Sequence, residues 1–191
     1  MPMDWFTRNW MYGGAFAGVF LLALVPLLVG AWSLPLLLVY LQLPIYLIHQ
    51  VEEHHADRFR QFVNDNIAGG LPALTTAAVV VINVPGVWGI DLVALYLARF
   101  VDLGLGLIAV YLTLVNAIAH VGAAIVLRRY NPGLVTALVL FFPVGIWALV
   151  AVSRAPGVTM TDQIIGLAIA VLIHAAILAH VKQRVRALSA A

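Results

Sequence analysis

Ile48-His49-Gln50-Val51-Glu52-Glu53-His54-His55 is the stretch on which the reading of this chain turns. It closes an apolar run that starts near Pro35, and it holds both of the chain's glutamates, three and four residues after His49. Ionisable groups at the end of a membrane helix are costly and by default mark a functional site. Acidic groups at a helix C-terminus also oppose the macrodipole. An ordinary helix end is therefore a poor account of the pair.

The surroundings set the solvent. Of 191 residues, 64% are hydrophobic and 9% charged, and mean hydropathy is +1.05. Soluble domains carry about 25% charged residues. The chain reads as an integral membrane protein, all-α, a polytopic helical bundle forming a single domain over residues 1–191. It has no cysteine, which excludes disulfides and thiolate metal sites. Its cations are scattered at helix ends, which suits anchoring in a bilayer and excludes a nucleic-acid surface. Nine of ten cations are Arg, a compositional hint of a GC-rich bacterial genome. The first apolar run is much longer than the roughly 7–15 residues of a signal-peptide core and reads as a retained span.

A span needs roughly 20 apolar residues. Six are expected, at about 12–31, 35–57, 72–98, 103–127, 134–152 and 162–186. Trp5, Trp10 and Trp32 flank the first as belt residues. Pro44 predicts a kink in the second and Asn83-Val84-Pro85-Gly86 one in the third. The polar, partly amphipathic stretch 58–70 predicts a short interfacial helix. Arg128-Arg129-Tyr130-Asn131-Pro132-Gly133 is a turn signal, and Thr161-Asp162 a helix cap. With six spans, one side receives Arg8, Arg58, Arg60, Arg128, Arg129, Lys182, Arg184 and Arg186, and the other Arg99 and Arg154. That asymmetry places both termini in the cytoplasm of a bacterial inner membrane.

Depth then links three histidines. His49, His120 and His174 each lie eight residues before a charged residue that marks the cytoplasmic span end: Asp57, Arg128 and Lys182. At a rise of about 1.5 Å per residue, all three sit roughly 12 Å inside that end. Helical spacing puts Gln42, Tyr46, His49 and Glu53 on one stripe with Glu52 on its flank, and Asn116 one turn from His120. Such stripes face the bundle interior.

Three imidazoles and a carboxylate at one depth form a metal-ligand inventory. His49, Glu53, His120 and His174 are the candidate ligands, for zinc or for non-haem iron. Glu52, Glu53 and Asn116 are the candidate catalytic residues: Glu52 as proton shuttle, Asn116 to orient a ligand or a polar substrate group. His54, His55 and His180 read as surface histidines. Asp91 and Asp102 read as facing the outer aqueous interface, and 130–133 as a plain turn.

His49, Glu52 and Glu53 match the motif of the HXXEE family of small bacterial membrane proteins, and Asn116 with His120 matches an NxxxH pattern associated with it. A further histidine in the last span corresponds to His174. The chain resembles this family over most of its length. The resemblance implies a membrane-embedded site at these residues and names no reaction.

The leading expectation is an enzyme, a metal-dependent hydrolase or a non-haem iron oxidoreductase. It would act on a lipid, isoprenoid or other amphipathic substrate near the cytoplasmic leaflet, with a divalent metal as cofactor and the bilayer as partner. Hydrolysis is the simpler of the two chemistries. The alternatives are a metal-free acid/base isomerase or cyclase using buried Glu and His, and a proton or metal-ion transporter.

Overall fold

The computed structural model describes residues 2–190, with side chains described from Trp5 onward. No strand occurs among them. The elements are α1 (Pro2–Ala23), α2 (Leu34–Tyr40), α3 (Gln42–His54), α4 (Arg58–Asn66), α5 (Thr76–Phe100), α6 (Leu103–Leu127), α7 (Leu134–Ser153) and α8 (Met160–Ser189). The run Leu34–Asn66, which holds α2 to α4, and α5 to α8 give five segments long and apolar enough to cross a membrane. The expected six is thus approximate. Helix α1 is 22 residues long but starts at Pro2 and carries Arg8 and Asn9 in its first half. It stops at Ala23, with one further turn, Val25–Leu28, around Pro26.

Proline explains most of the irregularities. The helix predicted over 35–57 breaks at Leu41, three residues before Pro44. That is where a proline ring crowds the preceding turn and its missing N–H leaves a carbonyl free. Around Pro85, α5 widens into a π-turn, Ile82–Trp88. A second π-turn, Ala137–Phe141, precedes Pro143 in α7. Asn83 uses the slack: its amide donates to Val79 O at 2.8 Å and accepts from Gln50 at 2.9 Å. Gln50 in turn accepts from Trp88 Nε1 at 2.6 Å. This buried chain ties α3 to α5. The expected cap of α8 falls two residues early, as a capping box of Thr159 with Asp162. The short helix expected within 58–70 is α4, stapled to the chain before α5 by Asn64, which both donates to and accepts from the Leu74 backbone.

Small residues let helices approach, as they do in membrane bundles. A Cβ on Gly18 of α1 would stand 3.1 Å from Pro44 O of α3, and one on Gly166 of α8 would stand 2.9 Å from the Leu107 backbone of α6.

Two expectations fail by burial. Trp10 is only 4% exposed and packs against His54 and Trp88, so it is not a belt residue. Asp91 is 1% exposed, inside the bundle, and neither carboxyl oxygen has a hydrogen-bond partner. Helical periodicity puts it on the same face as Val87, Ala94 and Ala98, all buried. An unpaired buried carboxyl group is destabilising. Asp91→Asn should therefore raise the thermal unfolding temperature in detergent, by the equivalent of about 1 kcal/mol or more. An unchanged or lower melting temperature would show that Asp91 has a partner in the folded state.

Candidate functional site

The sharp elbow after α3 comes first. Ala56 and Asp57 take left-handed conformations, φ 53° and 63°, and reverse the chain into α4. Arg60 holds Asp57 across one turn. The last turn of α3 is thereby held inside the bundle with its carboxylates facing protein.

Glu53 points inward and is 4% exposed. Its Oε2 lies 3.6 Å from His49 Nε2, and its Oε1 lies 3.6 Å from His120 Nε2 of α6. One ligand atom from each of these three buried residues lies within 4.8 Å of the others. His54, read from sequence as a surface residue, is 4% exposed, and its Nε2 is 3.0 Å from Glu53 Oε2. The reason is the elbow: it starts one residue later, at His55, so His54 still sits on the packed helix against Trp10.

The loop between α6 and α7 orients both imidazoles. Arg128 ends α6 in a left-handed conformation, φ 50°, and Gly133, φ 98°, precedes α7. Asn131 is buried and donates to His120 O at 2.8 Å. Its Oδ1 is then left to accept from His120 Nδ1–H at 2.7 Å. His49 Nδ1 lies 2.7 Å from Thr136 Oγ1. The Thr136 hydroxyl donates to Glu52 Oε2 at 2.5 Å, so it accepts from His49 Nδ1–H. Both imidazoles therefore carry their proton on Nδ1 and present a bare Nε2 to Glu53.

Glu52 turns away from Glu53. Its Oε1 accepts from Tyr130 OH at 2.7 Å and Val135 N at 3.1 Å, and its Oε2 accepts from Thr136 N at 2.7 Å as well as from the hydroxyl. A carboxylate on the first free N–H groups of a helix is well placed electrostatically. Tyr130 is pushed up to about 12 by desolvation and by its bond to Glu52, so it stays a donor at neutral pH. Gly133 packs on the rings themselves: a Cβ there would stand 2.5 Å from His120 Cε1 and 2.8 Å from His49 Cε1.

The chemical character of the cluster follows. Two bare Nε2 atoms and a carboxylate face one another, and His49 Nε2 has no hydrogen-bond partner. His54 Nε2 is the donor nearest Glu53, 3.0 Å from its Oε2, and it leaves the two imidazole nitrogens turned on that carboxylate without one, which is unfavourable for buried acceptors. A cation resolves the conflict, and two imidazoles with one carboxylate are a ligand set suited to zinc or iron. The Glu52–Thr136–His49 and Asn131–His120 pairs are the partners that ligating histidines normally have on their other nitrogen.

A cavity of about 470 Å³ adjoins the cluster, walled mainly by apolar side chains and bordered by Glu53, His120, Tyr46, Asn116 and His174. Asn116 Oδ1 is buried without a partner. His174 is half-buried on the cavity wall, its Nδ1–H donating to Ala170 O at 2.8 Å. It stands outside the three-residue group. Glu52 does not line the cavity. His55 and His180 are exposed, as expected.

Sequence reading brought His49, Glu53 and His120 together and missed Thr136, Asn131, Gly133 and His54. The turn Asn131-Pro132-Gly133 carried a signal, but one that any surface turn would carry. Thr136→Val should leave the fold intact and weaken metal binding about 10–100-fold, measured by competition with a chromogenic chelator. Unaltered affinity would sever Thr136 from the site.

The fold and the cluster define an all-helical protein with several spans apolar enough for a membrane and a buried His/Glu centre between them. The chain belongs to the family described as "Protein of unknown function with HXXEE motif", which matches residues 40–148. The matched segment runs from the end of α2 into α7 and so includes His49, Glu52, Glu53, Asn116, His120, Asn131, Gly133 and Thr136. No curated protein and no solved structure matches the chain.

Proposed function

We propose that this is a membrane-embedded, metal-dependent enzyme acting on an amphipathic, lipid- or isoprenoid-like substrate. The observation that carries the reading is the acceptor-only cluster of His49, Glu53 and His120 at the edge of a large apolar cavity. These three residues would hold the ion. A divalent cation bound there supplies Lewis acidity to a substrate oxygen.

The remaining roles fall to groups of this chain. Glu52, through Thr136, and Asn131 hold the two imidazoles in the ligating tautomer. That makes Glu52 a positioning residue in this reading, because donors already occupy both its oxygens. Glu53 is the one carboxylate that borders the cavity, and it serves as ligand and as the base nearest a bound substrate. Asn116 Oδ1, buried and unpaired, accepts a hydrogen bond from a substrate hydroxyl. The apolar wall takes the hydrocarbon part and excludes water. Val171 and Leu178 of α8 line the cavity and are exposed, which favours an opening along α8 and entry sideways from the bilayer. The eight-to-two distribution of cations, counted with α1 as a sixth span, supports a site near the cytoplasmic leaflet with both termini on that side.

Element analysis of purified protein tests the reading. Near-stoichiometric zinc or iron is expected, lost in His120→Ala. His174→Ala should keep most of the metal, since that residue stands outside the group. A folded wild-type sample with no metal above background would sink the proposal.

A further inference from the structure

A second cavity, of about 410 Å³, lies against the first. His54 and Val79 line both. Its other walls come from α1, the elbow, α4 and the start of α5, and they differ in character from the apolar cavity. Thr7, Arg8, Arg60 and Thr76 bring polar groups to it, with Trp10 alongside.

Three observations make this a binding pocket and not a packing gap. First, its charge is unbalanced. Arg60 is neutralised by Asp57, whereas Arg8 has no hydrogen bond or ion pair among the described residues. Second, the elbow that forms one wall is strained. Ala56 and Asp57 line the pocket in left-handed conformations that are costly for non-glycine residues. Such strain gathers at ligand sites. Third, the pocket meets the apolar cavity at His54, next to Glu53 and its two histidines. One molecule with an anionic end and an apolar end would occupy both cavities and lay the junction between them against the metal-ligand set.

We propose that this pocket binds the phosphate headgroup of an amphiphile whose hydrocarbon chain fills the apolar cavity. The proposal rests on the reading of the adjoining site as the place where an amphipathic substrate reacts. Arginine favours phosphate through its planar fork of donors, and the Thr76 hydroxyl on the pocket wall complements it.

The test uses the full-length protein in non-ionic detergent with chelator present, so that no metal contributes. Calorimetry measures dodecyl phosphate, dodecanol, dodecanoate and inorganic phosphate. Dodecyl phosphate should bind at least ten-fold more tightly than each of the others. Arg8→Gln should weaken it five- to ten-fold, and Arg8→Lys should restore most of the loss. Arg8 has no partner among the described residues, so the variant will fold. Displacement by farnesyl monophosphate alone assigns the pocket to single-chain esters. Displacement by dioleoyl phosphatidate assigns it to bilayer lipid. Either supports the headgroup site. Equal affinity for dodecyl phosphate and dodecanol, equal affinity for the carboxylate, tight binding of inorganic phosphate alone, or indifference to Arg8→Gln would each overturn it. Glu53→Gln separates the two proposals. It should abolish metal binding and leave dodecyl phosphate binding intact, so a phosphate preference in a protein that holds no metal defeats the metal reading alone.

Discussion

Replacing Glu53 by Gln should abolish the dependence of stability on metal. In the wild-type protein Glu53 faces two bare imidazole nitrogens at 3.6 Å, an arrangement that is unfavourable when empty and favourable around a cation. Bound metal stabilises a fold by about 2.7 kcal/mol when it is present at a hundred times its dissociation constant. Glutamine removes the anionic ligand, and affinity should fall by more than the roughly 10–100-fold that losing an outer partner costs. Its amide can donate to His49 or His120 Nε2, so the empty variant should be at least as stable as the empty wild type. Thermal melts with chelator and with added zinc should therefore cross. The wild type is stabilised by metal, and the variant is indifferent to it. Parallel shifts in both proteins would mean that the ion sits elsewhere.

Gly133→Ala should abolish metal binding although no ligand is changed. The position has φ 98°, where a Cβ is strained by about 1–2 kcal/mol. The new methyl would also lie 2.5 Å from His120 Cε1, 2.9 Å from its Nε2 and 2.8 Å from His49 Cε1. Overpacking of this kind adds about 1–3 kcal/mol. Both rings must move, and each is tied through Nδ1 close to the substitution, His120 to Asn131 in the same loop and His49 to Thr136 in the first turn of α7. A lower melting temperature and metal content near background are expected. Gly122→Ala on α6 is the control, since a Cβ there meets nothing within 4 Å and alanine favours a helix by about 1 kcal/mol. If Gly133→Ala retained metal, the loop would not be positioning the histidines.

The helix-level organisation was legible because the bilayer imposes it. Spans, the short helix α4, the proline disruptions near Pro44 and Pro85 and the turn after Arg128 all follow from local composition, since in hydrocarbon the backbone must satisfy itself within each helix. The pairing of His49 and Glu53 with His120 was legible through depth. Equal distance from a charged span end, on two spans expected to run the same way, leaves little freedom for where the side chains lie. The same rule put His174 at that depth, and it does border the cavity. Depth, however, does not decide rotation about a helix axis, and α8 presents His174 to the cavity wall and not to the three-residue group.

What sequence alone determined here was an all-helical, lipid-soluble chain with a His/Glu centre in one wall of the bundle. Tertiary structure alone decided the division of labour within that centre. Glu52 and Glu53 are adjacent in sequence, yet about 100° of helical rotation sends Glu53 to the histidines and Glu52 to the first N–H groups of α7. His54 is buried and His55 exposed because the chain reverses at Ala56 and Asp57. Asn131, Gly133 and Thr136 became site residues only when that loop folded back onto the rings of His49 and His120. Short-range periodicity carries burial and depth. It does not carry which loop closes over which helix end, because that depends on contacts between residues some 80 positions apart.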